Sequence, residues 1–236
     1  MIHAGISNDT EIQIEWINSE EINSNNINDI FNDIKGIIVP GGFDKRGTQG
    51  MIDACRYARE NKIPYFGLCL GMQIMVIEAA RNLLGYDDSN STEFDETTPF
   101  PVIDLMPEQL KSLHKGGSMR LGLYECNLAD STYIKKIYKQ NNIKERHRHR
   151  YEVNNKYVEE LKNVGLIPSG IHPEGDLVEI MEYNNHPFMI GVQFHPEFLS
   201  TPLSPHPLFV EFVKSAMNNK NLQSNNINNE KESKIT

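Results

Sequence analysis

A cysteine between two glycines is the residue whose setting most clearly predicts covalent chemistry in this sequence. Residues 64–73 (PYFGLCLGMQ) end a short apolar run in Gly67-x-Cys69-x-Gly71, and an amphipathic stretch follows at once. The pattern predicts a strand, a sharp turn and a helix with the thiol at the apex, as in a nucleophile elbow. A helix N-terminus favours the thiolate, which is the form that attacks. The alternative is a buried cysteine packed under a turn, but the flanking glycines favour a nucleophile.

A histidine near the C-terminus has the setting of the base that such a nucleophile needs. Residues 189–197 (MIGVQFHPE) form an apolar run that ends at His195, and Pro196 prevents the strand from continuing. Glu197 lies two residues further on, so its carboxylate can fix the imidazole tautomer. A histidine at a strand end is often structural, and the pairing with an elbow cysteine is what favours catalysis.

A third run, residues 36–43 (GIIVPGGF), breaks from β-branched residues into two glycines. Acyl transfer to cysteine passes through an oxyanion, and backbone N–H groups usually bind it. We therefore predict that the N–H groups of Gly42 and Leu70 form an oxyanion hole. Most strands followed by Pro-Gly-Gly are plain turns, so this prediction depends on the other two motifs.

The elements that must position these residues alternate along the chain. Strands are predicted at 11–17, 36–39, 64–68, 121–128, 177–183 and 188–194, and helices at 48–61, 72–84, 131–139, 156–164 and 207–217. The alternation predicts an α/β fold with a mostly parallel central sheet, helices on both faces, and an antiparallel part toward the C-terminus. Ligands bind at the carboxyl ends of such strands, so Gly42, Cys69 and His195 are expected on one rim.

Composition limits the partners and the compartment. The chain has 236 residues and a net charge of −9, which argues against general binding to nucleic acid or membranes. It has neither an apolar run of about 20 residues nor a signal-peptide pattern. Three cysteines fit a reducing cytoplasm, with Cys55 and Cys126 predicted as packing residues.

These motifs, in this order, resemble a class I glutamine amidotransferase domain. Four further runs narrow the resemblance to the glutaminase domain of the CTP synthase family: NSTEF at 90–94, GGSMRLG at 116–122, ERHRHRYEVN at 145–154 and FLSTP at 198–202. The resemblance implies hydrolysis of L-glutamine to glutamate and ammonia. In the whole enzyme the ammonia would pass to an amidoligase domain of the same polypeptide that aminates UTP to CTP.

The resemblance also implies how free glutamine is held and which groups belong elsewhere. Glu93 would bind the α-ammonium group and Arg150 the α-carboxylate. Gln73, one helical turn beyond Cys69, would bond the substrate, and Phe43 would wall it. No metal or cofactor is expected in this domain. ATP and Mg²⁺ belong to the amidoligase domain, GTP is an expected effector, and a homo-oligomer (tetramer) is expected only in the full enzyme.

Two departures from the family pattern concern the loop after residue 43 and the start of the chain. Asp44 stands where the family usually has glycine, and aspartate tolerates left-handed geometry better than most residues. Residues 1–5 resemble the end of the family's first helix, so the family's first strand is expected to be missing. We predict an amidotransferase domain over residues 1–217 and a disordered polar tail over 218–236.

Alternative interpretations remain at this stage. The RHRHRY run at 146–151 is short for a nucleic-acid site in an acidic chain, and no carboxylate cluster completes a metal site around His147 and His149. If that run is a strand, its arginines share one face and its histidines the other. The competing functions are another triad hydrolase of the same fold, such as a γ-glutamyl hydrolase, and a catalytically silent regulatory module.

Overall fold

Two β-sheets organise the chain. The computed structural model describes residues 1–105, 119–174 and 176–232, with side chains as far as residue 219. The strands are β1 Ile37–Val39, β2 Tyr65–Leu68, β3 Asn90–Ser91, β4 Pro101–Leu105, β5 Arg120–Leu128, β6 Asn142–His149, β7 Tyr151–Val153, β8 Leu166–Ile171, β9 Val178–Tyr183 and β10 Met189–Val192. Seven of them form the main sheet in the order β1-β2-β10-β9-β8-β5-β6, and β3-β4-β7 form a small second sheet.

Helices cover both faces of the main sheet, as the sequence predicts. They are α1 Ile2–Ser7, α2 Ile27–Phe31, α3 Thr48–Asn61, α4 Leu70–Asn82, α5 Tyr133–Tyr138, α6 Val158–Asn163 and α7 Pro207–Glu232. Side chains of α2, α3, α4 and α6 contribute to one buried apolar cluster, and those of α1, α5 and α7 to a second one. Neighbouring residues of β2 supply both clusters, since Tyr65 joins the first and Phe66 the second. The α/β fold class is therefore confirmed.

The main sheet is parallel where the predicted site lies and antiparallel elsewhere. Strand β2 pairs in parallel with β1 and with β10, whereas the other four neighbouring pairs are antiparallel. The sequence predicts a mostly parallel sheet, and this proportion is wrong. Strands β8, β9 and β10 follow one another after connections far shorter than the dozen residues that a parallel crossover needs, so they run antiparallel.

The three parallel strands bring the predicted site residues to one rim. Tyr65 of β2 is in register with Ile37 of β1 and Met189 of β10. The segments that leave the carboxyl ends of these strands begin at Pro40, Cys69 and Gln193. Parallel neighbours end at the same edge of a sheet, and this is where open α/β sheets place their sites.

Other sequence predictions differ from the structure. The strand predicted at 11–17 is absent, because residues 10–18 have no regular structure and are largely exposed, with Trp16 88% exposed. The sequence predicts none of β3, β4, β7 and β8, and it gives β6 only as one interpretation of the run at 146–151. Strand β8 contains Pro168 and Gly170, which hide its pattern. The backbone of the predicted tail is helical to Glu232, in a segment that contains no proline or glycine to end the helix.

Two motifs fall partly outside the described residues. The GGSMRLG run at 116–122 is described from residue 119 onward, and residues 233–236 of the predicted tail are not described. Within the part of the chain that the structure covers, no helix combines the length and hydrophobicity that crossing a bilayer requires.

Candidate active site

Cys69 occupies the turn between β2 and α4, as predicted for a nucleophile elbow. Its φ of 50° and ψ of −98° are unusual for a residue with a side chain. A Cβ on Gly67 would lie 2.5 Å from the backbone of Gly71, and a Cβ on Gly71 would lie 2.2 Å from the carbonyl oxygen of Val39. Strand, turn and helix therefore pack so closely that only glycine fits on either side of Cys69.

The imidazole of His195 lies between Cys69 and Glu197. Its Nδ1 is 2.7 Å from Oε1 of Glu197, and the Cys69 side chain is close enough to act on its pKa. Because Nδ1 forms a hydrogen bond with Glu197, Nε2 is the ring nitrogen that can interact with the sulfur of Cys69. The backbone N–H of His195 donates to the carbonyl oxygen of Arg146 at 2.8 Å, and the Phe198 ring stacks on the imidazole at 5.4 Å between centroids. The ring is thus held at Nδ1 and on one face.

The protonation of His195 follows from these contacts. Burial lowers the pKa of its imidazole, but the interactions with Cys69 and Glu197 act in the opposite direction and outweigh burial. The net effect raises the pKa of His195 to about 9. At neutral pH the ring therefore carries a proton that it can give to a leaving group.

The glycine loop after β1 lies against both groups. A Cβ on Gly41 would be 2.7 Å from Cε1 of His195 and 3.5 Å from Cβ of Cys69, and one on Gly42 would be 3.0 Å from Cδ2 of Leu70. Leu70 is the first residue of α4, where a backbone N–H has no acceptor within the helix. The two residues predicted to form the oxyanion hole thus lie next to each other, and Leu70 directly follows Cys69; their role stays a prediction.

The residues predicted to bind glutamine come from four segments of the chain. The carboxyl group of Glu93 lies near the backbone of Asp44 and the guanidinium group of Arg150, which both act on its pKa. Burial raises the pKa of Glu93, and these two contacts partly offset the increase. Gln73 is buried, and its Nε2 donates to the carbonyl oxygen of Tyr151 at 3.0 Å. The site therefore has one acid and one guanidinium group, as a free amino acid requires, while the role of each residue stays a prediction.

Phe43 and Asp44 border a cleft of about 340 Å³ that Gly41, Gly42 and Leu70 also line. Phe43 is 52% exposed, so it lies at the mouth of the cleft, and the guanidinium carbon of Arg148 is 5.7 Å from its ring centroid. Asp44 has a φ of 93°, the positive value that sequence analysis expected it to tolerate.

The side chains of the RHRHRY run alternate between the two faces of a strand, as the sequence predicts. In β6 the side chains of Arg146 and Arg148 are exposed, whereas His147 and His149 are buried. Burial lowers the pKa of the two histidines to about 2 and about 3, so both rings are neutral. Their positions next to one another come from the strand geometry alone.

A buried carboxylate joins these histidines, which the sequence did not indicate. Nδ1 of His147 is 2.9 Å from Nε2 of His149 and 3.5 Å from Oε2 of Glu179, so three ligand atoms lie within 4.8 Å of one another. A single carboxylate, and not the carboxylate cluster that the sequence analysis looked for, therefore lies beside the two histidines, and the expectation of no metal site stays a prediction. However, Arg120 donates to Glu179 at 2.8 Å and already provides a positive charge at that carboxylate.

Gln193 is the site residue that sequence reasoning missed. Its side chain is fully buried and its Nε2 donates to Sγ of Cys69 at 3.6 Å. The residue stands in the QFHPE motif, but glutamine two residues before a histidine carries no chemical signal of its own. Its contact joins residues 124 positions apart.

Comparison with known proteins agrees with this fold and this geometry. The family described as glutamine amidotransferase class-I matches residues 1–215. The chain therefore belongs to the class-I glutamine amidotransferase family. A GMP synthase protein from Thermoplasma acidophilum has the same fold, with a TM-score of 0.57 at 15% identity over 92% of this chain and 85% of that one.

Within that family the similarity is to CTP synthases. The glutaminase domain of Trypanosoma brucei CTPS, solved with bound acivicin, is 38% identical and has a TM-score of 0.87 over 92% of this chain and 85% of that one. The CTP synthase of Clostridium perfringens is 53% identical over 218 residues, and that of Caldanaerobacter subterraneus subsp. tengcongensis is 54% identical over 218 residues. Both alignments cover 92% of this chain and 41% of the relative, so the chain spans less than half the length of these proteins.

Proposed function

We propose that this chain hydrolyses L-glutamine to glutamate and ammonia through a thioester on Cys69. The observation that carries the proposal is the position of His195 at the end of the parallel strands, between Cys69, which acts on its pKa, and Glu197, whose Oε1 is 2.7 Å from its Nδ1. A thiol at a strained turn, in contact with an imidazole that a carboxylate orients, is the arrangement that nucleophilic acyl transfer requires.

In the first half of the reaction, the Cys69 thiolate attacks the side-chain amide carbon of glutamine. A C–S bond forms, and the N–H groups of Gly42 and Leu70 bind the oxygen that becomes negative. His195 then gives its proton to the nitrogen, the C–N bond breaks and ammonia leaves. Glu197 stabilises the imidazolium throughout.

In the second half, water hydrolyses the thioester. The neutral imidazole of His195 takes a proton from the water, and the hydroxide adds to the carbonyl carbon. The same backbone N–H groups bind the second oxyanion. When the C–S bond breaks, glutamate forms and the Cys69 thiolate returns.

Substrate selection would come from Glu93 and Arg150. Their opposite charges suit the α-ammonium and α-carboxylate groups that free glutamine carries and that an internal peptide residue lacks. A γ-glutamyl peptide can present the same two groups, so the turnover measurement below is what separates glutaminase activity from the γ-glutamyl hydrolase alternative.

Two measurements test the proposal. The wild-type chain should release glutamate from free L-glutamine, and an electrophilic glutamine analogue should label Cys69; Cys69→Ala should abolish both while leaving the fold intact. Faster turnover of γ-glutamyl peptides than of glutamine would favour the other hydrolase. A wild-type thiol that the analogue does not label would favour a silent regulatory module.

For the ammonia, we propose delivery to an amidoligase domain of the same polypeptide, which aminates UTP to CTP with ATP and Mg²⁺. The greater length of the CTP synthase relatives supports a second domain. So does an exposed surface beside His195, where Leu121, Arg146, Arg148 and Phe198 line an open cleft of about 470 Å³. Apolar surface next to an active site is typical of an interaction site. GTP as effector, a tetramer and a cytoplasmic location belong to the same proposal for the full enzyme.

This part of the proposal has its own test. The full polypeptide should convert UTP to CTP with either glutamine or free ammonia as the nitrogen source. Cys69→Ala in that polypeptide should remove synthesis with glutamine and keep synthesis with ammonia. Loss of both activities would contradict a separate ammonia-using domain.

A further inference from the structure

Gln193 lies between the sulfur of Cys69 and the side chain of Gln73, and none of the steps above uses it. It follows β10 directly and is 0% exposed. Its backbone N–H donates to the carbonyl oxygen of Glu179 at 2.8 Å, which fixes where the side chain begins. A buried amide beside a nucleophile must have its polar atoms satisfied, so its partners define its function.

The orientation of the Gln193 amide follows from its neighbours. Nε2 of Gln73 lies 3.0 Å from the carbonyl oxygen of Tyr151, which can only accept, so this atom of Gln73 is the donor. The same Nε2 lies 3.4 Å from Oε1 of Gln193. Because a donor faces one end of the Gln193 amide, the accepting oxygen must be at that end. The NH₂ group of Gln193 therefore points at Sγ of Cys69, 3.6 Å away.

An N–H donor directed at sulfur acts on the charged form of the thiol. Hydrogen bonds to a charged form favour it over the neutral form. The bond is present before substrate arrives and it returns when the thioester breaks, since the sulfur then leaves as thiolate. Unlike His195, the amide of Gln193 does not exchange its protons during the reaction, so its contribution is constant through both half-reactions.

We propose that Gln193 is a positioning residue that holds the Cys69 sulfur and stabilises its thiolate, and that Gln73 orients the Gln193 amide. The role in turnover rests on the proposed glutaminase function, whereas the effect on the sulfur does not. It also changes the expectation for Gln73. Its NH₂ group serves Tyr151 and Gln193, which leaves only its Oε1 for a bound glutamine.

The first test measures the alkylation rate of Cys69 by iodoacetamide between pH 5 and 10, with the modified peptide identified by mass. Gln193→Met keeps the length of the side chain and removes the donor, so the midpoint of the pH profile should move upward by about one unit, and alkylation below the midpoint should slow about tenfold. Gln193→Glu replaces the donor with a negative charge and should move the midpoint further. The matched control is Gln13→Met at an exposed position, which should keep the wild-type profile.

If urea unfolding shows that Gln193→Met does not fold, Gln73→Met provides a second test, because it leaves Gln193 in place. Gln73→Met removes only the group that orients the amide, so it should move the midpoint in the same direction by a smaller amount. Unchanged profiles in folded Gln193→Met and Gln193→Glu, or in Gln73→Met when neither folds, would overturn the proposal.

Turnover supplies a separate measurement. Gln193→Met should lower kcat for glutamine about tenfold and change KM less than twofold, because the residue acts on the sulfur rather than on substrate binding. A large increase in KM at wild-type kcat would instead indicate a substrate contact and contradict the inference. The alkylation measurements contain no glutamine, so failure of the glutaminase proposal would not affect them.

Discussion

Replacing Gly41 with alanine should separate the geometry of the site from the stability of the fold. The added Cβ would lie 2.7 Å from Cε1 of His195, whereas carbon atoms normally approach to about 3.5–4.0 Å. The imidazole must therefore move by about 1 Å, away from Cys69 or from Glu197. A displacement of about 1 Å can cost about 100-fold in rate, which is about 2.7 kcal/mol of transition-state stabilisation.

The same substitution should leave the free energy of unfolding nearly unchanged. The described glycines with positive φ are at positions 47, 85, 122 and 165, so the backbone of Gly41 is not in the left-handed region that alanine avoids. Alanine at a compatible position even lowers the entropy of the unfolded chain, which stabilises by about 0.4–1 kcal/mol. The close contacts of the added Cβ are with side-chain atoms of His195 and Cys69 and not with the backbone, so the strain falls on the site.

Gly85→Ala is the matched control, with the opposite expected pattern. Gly85 has a φ of 74°, and no atom lies within 4 Å of an added Cβ. Alanine there should destabilise the fold by about 1 kcal/mol and leave glutamine hydrolysis at the wild-type rate. The assay combines kcat/KM for glutamate release with urea unfolding for both variants. A folded Gly41→Ala protein with wild-type kcat/KM would refute the stated contact between the glycine loop and the imidazole.

Three further predictions use the charged groups. The pKa of the His195 imidazole is raised to about 9, and Glu197→Gln should lower it in an NMR titration. The same variant should reduce kcat less than Cys69→Ala does, since an orienting group supplies only part of the catalytic effect. Burial raises the pKa of Glu179 to about 8, above its unfolded value near 4.5, so its contribution to stability is complete below about pH 4.5 and is lost as the pH rises through 8. Glu179→Gln should therefore flatten the fall in urea stability between pH 5 and 8, and an unaltered slope would contradict the raised pKa. Arg59→Met leaves the fully buried Glu78 without its 2.8 Å partner and should cost about 3–5 kcal/mol in urea unfolding; a loss below 1 kcal/mol would mean that the pair contributes little.

Local sequence patterns are sufficient to predict where several of these residues lie in the structure. The elbow around Cys69 needs only small residues on both sides of one position, and the carboxylate of Glu197 needs only a two-residue spacing from His195. The burial of Cys55 and Cys126, each 0% exposed, follows from their places in a helix and a strand. Each of these predictions uses neighbours along the chain.

Predictions failed where a segment depends on distant partners. Residues 11–17 have a strand-like pattern, but no strand among the described residues pairs with them, and an unpaired segment does not form a sheet. Strand β8 exists despite Pro168 and Gly170 because β5 and β9 pair with it on either side. Glu179 lies 3.5 Å from His147 although β8 and β5 separate β9 from β6, so the contact requires the sheet to curl.

The sequence by itself determined the strand–turn–helix at Cys69, the alternation of arginine and histidine in β6, and the family to which the chain belongs, because backbone sterics and side-chain periodicity act over a few residues. Only the tertiary structure decided that the amide of Gln193 faces the sulfur, that Gly41 touches His195, and that four of the six strand pairs of the main sheet are antiparallel. These features join residues from separate elements. They depend on how whole helices and sheets pack, which no short stretch of sequence specifies.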